Sequence, residues 1–75
     1  MNRIEILALL HQLFDVPTEI EGDLDLREFI KDSIDVGEFV AEARQQHNLE
    51  IEISDFKGIT HLQQLVALLK SKNTR

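Results

Sequence analysis

Apolar residues recur along the start of the chain at intervals of three and four. Ile4, Leu7, Leu10 and Phe14 form one series, and Ile6, Leu9 and Leu13 widen it. That is the spacing of an α-helix with one buried face. Asn2 stands where an N-cap belongs, and Pro17, just beyond the last apolar residue, marks a stop. A second series, Val36, Phe39, Val40 and Ala43, predicts a helix from Asp32 or Ser33 to about Gln46. A third, Leu62, Leu65, Val66 and Leu69, predicts a helix from Thr60, with Gln63 three positions on completing a capping box.

The segments between these helices carry their own signals. Residues 15–31 form a long connection with Pro17 and Gly22, pinned by Val16, Ile20, Leu24, Leu26, Phe29 and Ile30. A connection of this length in a small domain is uncommon and often functional. Its apolar residues predict that it tucks against the core, with a short helical turn near Leu24 to Phe29. Residues 49–53 alternate like a strand but have no partner strand, so we read an extended linker burying Leu49, Ile51 and Ile53. Ser54 to Lys57 then resembles one helical turn ended by Gly58. The fold class is all-α: a small bundle of three main helices, a short minor helix and a long first loop.

Length narrows the picture. A chain of 75 residues is one domain, here residues 1–75, with a thin core. It has no cysteine, so no disulfide or thiolate metal site supplements that core. The longest fully apolar stretch, Ile6 to Leu10, is far short of a membrane span, and no basic segment with a long apolar run marks a signal peptide. The expectation is a soluble, monomeric protein of the cytoplasm.

Charge changes the picture more. The net charge is −6, and between Asp15 and Asp55 lie 13 acids against only Arg27, Lys31 and Arg44, a local net of −10. Lys70, Lys72 and Arg75 stand near the end. Nucleic-acid binding needs clustered Lys and Arg on phosphates, so it is excluded as a reading. Basic protein partners are favoured by long-range attraction; the plain alternative is an acidic surface that serves only solubility.

Several kinds of chemistry lack their residues. His11, His47 and His61 are scattered without ligand spacing, so no metal site is expected. Glu19, Glu21, Asp23 and Asp25 lack the glycine and closing glutamate of a calcium loop. A serine hydrolase needs a base, an orienting acid and a glycine-flanked elbow, and none surrounds Ser33. No catalytic residue is assigned, and the chain is not read as an enzyme.

What stands out is Asp32-Ser33-Ile34-Asp35, which closes the long loop and opens a helix. A serine there presents an exposed hydroxyl. The helix dipole and free backbone N–H groups favour a phosphodiester at that point. Read alone, the same four residues are also an ordinary N-cap. Gly37, inside the helix, costs about 1 kcal/mol against alanine and marks a close approach or a weak spot.

With its length, loop and motif taken together, the chain resembles the acyl carrier protein family, including its peptidyl and D-alanyl carriers, over essentially all of its residues. Asp32-Ser33-Ile34 matches the family's attachment motif, and Asp35 with Glu38-Phe39-Val40 matches the family's pattern further along the same helix. The resemblance implies an acyl-carrier-like bundle and a 4'-phosphopantetheine arm. The arm would come from coenzyme A, be placed on Ser33 by a phosphopantetheinyl transferase, and hold acyl or aminoacyl cargo as a thioester. It implies that Ile34 touches the arm or a partner. Asp32, Asp35, Glu38 and Glu42 would then form the acidic face read by basic docking surfaces of the loading and processing enzymes. The last three recur at helical spacing. Fatty-acid carriers usually place apolar side chains where Gly37 and Ala41 stand. Arg44 and Gln45 stand where acids are common, and Ser33 to Asp55 is two residues longer than in those carriers. Ile53-Ser54-Asp55-Phe56 resembles the D-alanyl and peptidyl carriers, although Asp35 departs from them. These features favour a dedicated pathway such as polyketide, peptide or modified-lipid synthesis. The alternatives are a D-alanyl or peptidyl carrier, or an interaction module of the same fold that carries no arm.

Overall fold

A computed structural model describes residues 1–72. Arg75, counted above among the terminal cations, lies outside the described residues. The first helix, α1 (Arg3–Phe14), starts as the sequence predicts. The Asn2 side chain accepts from the Glu5 N–H at 2.8 Å, and Glu5 returns a bond to the Asn2 N–H at 3.0 Å. Two orphan amides are satisfied reciprocally. The helix ends before Pro17 can act. Asp15 adopts a left-handed conformation (φ 59°) and donates its N–H to the His11 carbonyl. The second helix, α2 (Ser33–His47), ends the same way on Asn48 (φ 51°). Asp and Asn tolerate that conformation better than other non-glycine residues. The third, α3 (Leu62–Ser71), is shorter. Two 3₁₀ turns complete the set, at Leu26–Glu28 and Ile53–Phe56. Among the described residues no helix is long and apolar enough to cross a membrane.

The core draws on every element. Ile6, Leu7, Leu9 and Leu10 of α1 pack with Phe39, Val40 and Ala43 of α2 and Leu62, Leu65 and Leu69 of α3. Phe39 and Phe56 meet edge to face, their centroids 5.5 Å apart. The connections contribute Val16, Leu26, Leu49 and Ile51, all buried. The long loop is therefore part of the core, as its apolar residues predict.

Polar bonds hold that loop in place. Arg3 donates to the carbonyls of Ile20 and Gly22 at 2.8 and 2.7 Å, clamping the loop on α1. The Leu26 N–H reaches the Thr60 carbonyl, and the Leu62 N–H reaches the Leu24 carbonyl, each at 2.8 Å. These bonds form an isolated antiparallel bridge between Asp25 and His61. Arg44 donates to the Ile51 carbonyl at 2.7 Å and fixes the extended linker to α2. His47 and Glu5, 3.4 Å apart, tie α2 to α1.

Three expectations need correction. The N-cap of α3 is His61, not Thr60, and the side chain that turns back is Gln64, not Gln63. Gln64 Oε1 accepts from the N–H groups of Thr60 and His61 at 2.8 and 2.9 Å. Ile4 is 79% exposed. At about 100° per residue it lies roughly 200° around the helix from Ile6, away from the face that Ile6, Leu9 and Leu10 share. Ile53 is 51% exposed, not buried. The alternation that buries Leu49 and Ile51 ends where the chain turns into the 3₁₀ conformation at Ile53.

Candidate functional site

Ser33 is the first residue of α2, and its side chain is exposed. Asp32 precedes it as N-cap. One oxygen of the Asp32 carboxylate, Oδ1, accepts from the N–H groups of Ile34 and Asp35, both at 3.0 Å, and its carbonyl accepts from Val36 at 3.2 Å. This corrects one part of the sequence reading. The amides of Ile34, Asp35 and Val36 are already engaged, so they are not open donors for a phosphodiester on Ser33. What the site offers an attached phosphate is an exposed position in the field of the helix, next to the Asp32 carboxylate. Among the described residues no hydrogen bond to the Ser33 hydroxyl is formed, and none of the histidines stands beside it. His11 Nδ1 is 3.0 Å from the Val16 carbonyl, His47 faces Glu5, and His61 Nδ1 is 2.8 Å from Thr60 Oγ1.

The acids around Ser33 differ in availability. Asp32 and Glu38 are exposed. Asp35 is half-buried and its Oδ2 accepts from the Lys31 N–H at 2.9 Å, closing the end of the loop onto the helix. Glu42 is also half-buried and bonds Gln46, which reaches towards Gln12 of α1. The shared face predicted for Asp35, Glu38 and Glu42 thus presents Glu38 most openly. Ile34, next to Ser33, is 71% exposed.

Two further features lie near Ser33. An open cleft of about 160 Å³ lies beside the start of α2, its apolar floor made by Leu26, Ile30, Val36, Phe56 and Ile59. Arg27, Lys31 and Asp32 stand at its rim. The second feature is a contact across α2. A Cβ built on Gly37 would meet Ile53 Cδ1 at 3.7 Å, so the isoleucine of the second 3₁₀ turn rests against the helix at its one residue without a side chain. Gly37 was the signal in the sequence, as a point of close approach; the identity of the approaching residue was not legible.

Three other carboxylates are held by specific bonds. Asp23 accepts at 2.9 Å from both the Gln63 and Leu24 N–H groups, and the Gln63 bond chiefly holds its carboxyl below the ordinary value of 3.8. Asp25 binds Arg27 through two side-chain bonds of 2.9 and 2.7 Å and accepts the Arg27 N–H as well, which holds it far below that value. Asp55 is lowered by the Glu52 N–H and then by Lys72, whose Nζ is 2.9 Å away. These carboxylates are committed to structure, and Asp23 and Asp25 are thereby drawn away from any shared cation.

A sequence model of the family described as "Phosphopantetheine attachment site" matches residues 5–69. That span takes in all three helices, both 3₁₀ turns and the Ser33 segment, apart from Arg3 and Ile4 of α1 and Lys70 and Ser71 of α3. No curated protein and no solved structure matches the chain.

Proposed function

Because the chain belongs to the phosphopantetheine-attachment-site family, whose domains carry a covalent 4'-phosphopantetheine arm, we propose that Ser33 is the acceptor of that arm. The observation that carries this reading is the placement of Ser33. It is the exposed first residue of α2, its hydroxyl is unengaged among the described residues, and it lies directly after the capping Asp32 inside the matched span. The bound arm supplies a thiol that holds acyl or aminoacyl cargo as a thioester. The chain's own residues do the rest. Asp32 fixes the first turn of α2 so that the Ser33 hydroxyl points from a rigid element. Ile34, Asp32 and Glu38 give partners something to read, with Asp35 and Glu42 set behind them. Attraction between exposed charges is weak and screened by salt, which suits a carrier that must leave each enzyme after each step. We place the protein in the cytoplasm as a monomer, in a dedicated biosynthetic pathway rather than general fatty-acid synthesis. Gly37, Ala41 and Arg44 favour that assignment.

The test is intact-protein mass spectrometry after incubation with coenzyme A and a broad-range phosphopantetheinyl transferase. The wild-type chain gains one arm and the Ser33→Ala chain gains none. An unmodified wild type, or an arm on Ser33→Ala, defeats the proposal.

A further inference from the structure

Cations are scarce around the start of α2. Between Asp15 and Asp55 stand 13 acids and three cations, Arg27, Lys31 and Arg44. The fold treats the three differently. Arg27 is held by Asp25 through side-chain bonds of 2.9 and 2.7 Å. Arg44 is turned to the linker, where it donates to the Ile51 carbonyl at 2.7 Å. Lys31 is exposed, and its ammonium forms no ion pair among the described residues. Its backbone is nonetheless fixed. The Lys31 N–H donates to Asp35 Oδ2 at 2.9 Å, and Asp32 Oδ1 takes the N–H groups of Ile34 and Asp35. Residues 31–35 thus form one hydrogen-bonded turn, with Lys31 and Ser33 two positions apart on it. Two residues of chain separate Cα atoms by at most about 7 Å, a span that the flexible four-carbon stem of a lysine covers. Lys31 also stands at the rim of the apolar cleft beside α2, on the side of the long loop.

Resting on the reading of Ser33 as the arm's acceptor, we infer that Lys31 is the positioning residue for the arm: its ammonium pairs with the phosphodiester on Ser33 and draws the arm towards the loop side of α2. A phosphodiester on Ser33 adds a negative charge beside the Asp32 carboxylate, in a segment that already carries a net −10. The amides that open α2 do not offset it, because Asp32 holds them. Lys31 is the cation within reach whose charge no carboxylate has taken. An ammonium on a flexible stem is a point charge, so it follows the phosphate without imposing one geometry. A phosphodiester stays singly charged across the accessible pH range, so the pairing responds to salt rather than to pH. Exposed ion pairs of this kind bias a population by no more than about fivefold. The arm is oriented in this way and still released to the enzymes that work on its thiol.

The test loads the full chain from coenzyme A with a broad-range phosphopantetheinyl transferase and locates the arm by peptide mass spectrometry. The phosphorus NMR resonance of the attached phosphodiester is then compared for wild type, Lys31→Met, Lys31→Arg and Lys70→Met. Lys70 serves as the control because it is an exposed cation in the last turn of α3. At low salt the wild-type resonance is displaced from that of Lys31→Met. Lys31→Arg keeps most of the displacement, and Lys70→Met matches wild type. Raising sodium chloride from about 0.01 M to about 1 M moves the wild-type resonance onto that of Lys31→Met, as screening of an exposed pair requires. In parallel, the Lys31 Nζ resonance shifts between the chain without the arm and the chain that carries it. Circular dichroism melts check that each variant is folded, as expected for exposed side chains. An arm on Ser33 whose resonance is indifferent to Lys31→Met, or that moves equally in Lys70→Met, overturns the pairing and leaves the Ser33 reading standing. A wild type that takes no arm, or takes it on another residue, overturns both.

Discussion

At the start of α2, Asp32 accepts from amides two and three residues ahead; at the start of α3, Asp23 accepts from Gln63, forty residues ahead. The two carboxylates satisfy the same kind of orphan donor with the same chemistry. They differ in what the bond connects. Around α3 the bonds are long-range: Leu24 takes the Leu62 N–H, Thr60 takes the Leu26 N–H, and Asp23 completes the set. That helix start is where the long loop is fastened. Around α2 the cap is confined to the residues next to Ser33, and residues 31–34 are exposed. One helix start is held by the rest of the molecule. The other is capped by its own neighbouring residues.

Substitutions can break this contrast. Leu26, 2% exposed, anchors the loop beside the α3 junction. Leu26→Ala costs about 2–5 kcal/mol in urea unfolding, the usual range for a leucine removed from a packed core. Ile34→Ala, at the exposed site, shifts the same measurement by less than about 0.5 kcal/mol. Equal effects at the two positions would erase the distinction between a fastened and a solvent-facing helix start. Asp32→Ala is intermediate: losing the N-cap costs about 1 kcal/mol, measured by thermal or urea unfolding.

The mildest test is pH. The folded-state carboxyls of Asp23, Asp25 and Asp55 titrate below their ordinary value of 3.8, chiefly through the Gln63 N–H, Arg27 and the Glu52 N–H in turn. On acidification the unfolded chain binds these protons first. The stability they contribute is present above 3.8 and is lost as pH falls below it towards the lowered values. Asp23→Asn is therefore less stable than wild type at neutral pH, and the gap narrows below about pH 4 in urea unfolding series. A gap that stays constant with pH would mean that the Asp23 charge does not contribute to fastening the loop.

The sequence made the helices legible because their apolar spacing records one buried face each, and α1, α2 and the inward stripe of α3 are where it placed them. Both 3₁₀ turns and the tucked loop were legible from isolated apolar residues between breakers. What escaped was set by partners distant in sequence. Thr60 and Gln63 have the spacing of a capping box, yet the Gln63 amide is taken by Asp23 and the back-bond comes from Gln64. Ile53 continues an alternating pattern, yet the turn that begins there sends it outward, over a glycine on another element. At the site, the Asp32-Ser33-Ile34 segment was legible as a position and as a helix cap, but that the capping side chain is Asp32, not Ser33, was not. A serine and an aspartate at a helix start are compatible with either arrangement until the side-chain bond is seen.

The bond between Asp23 and Gln63 also bears on how the chain reaches this state. Its closure joins residues forty positions apart, whereas the Asp32 bonds need only two or three residues to settle. Closing a ring of that size carries an entropic cost that local caps avoid. The first turn of α2 can form early, within a short stretch of chain. The first turn of α3 is complete only when the loop has docked, so its integrity rises and falls with the cooperative folding of the whole domain.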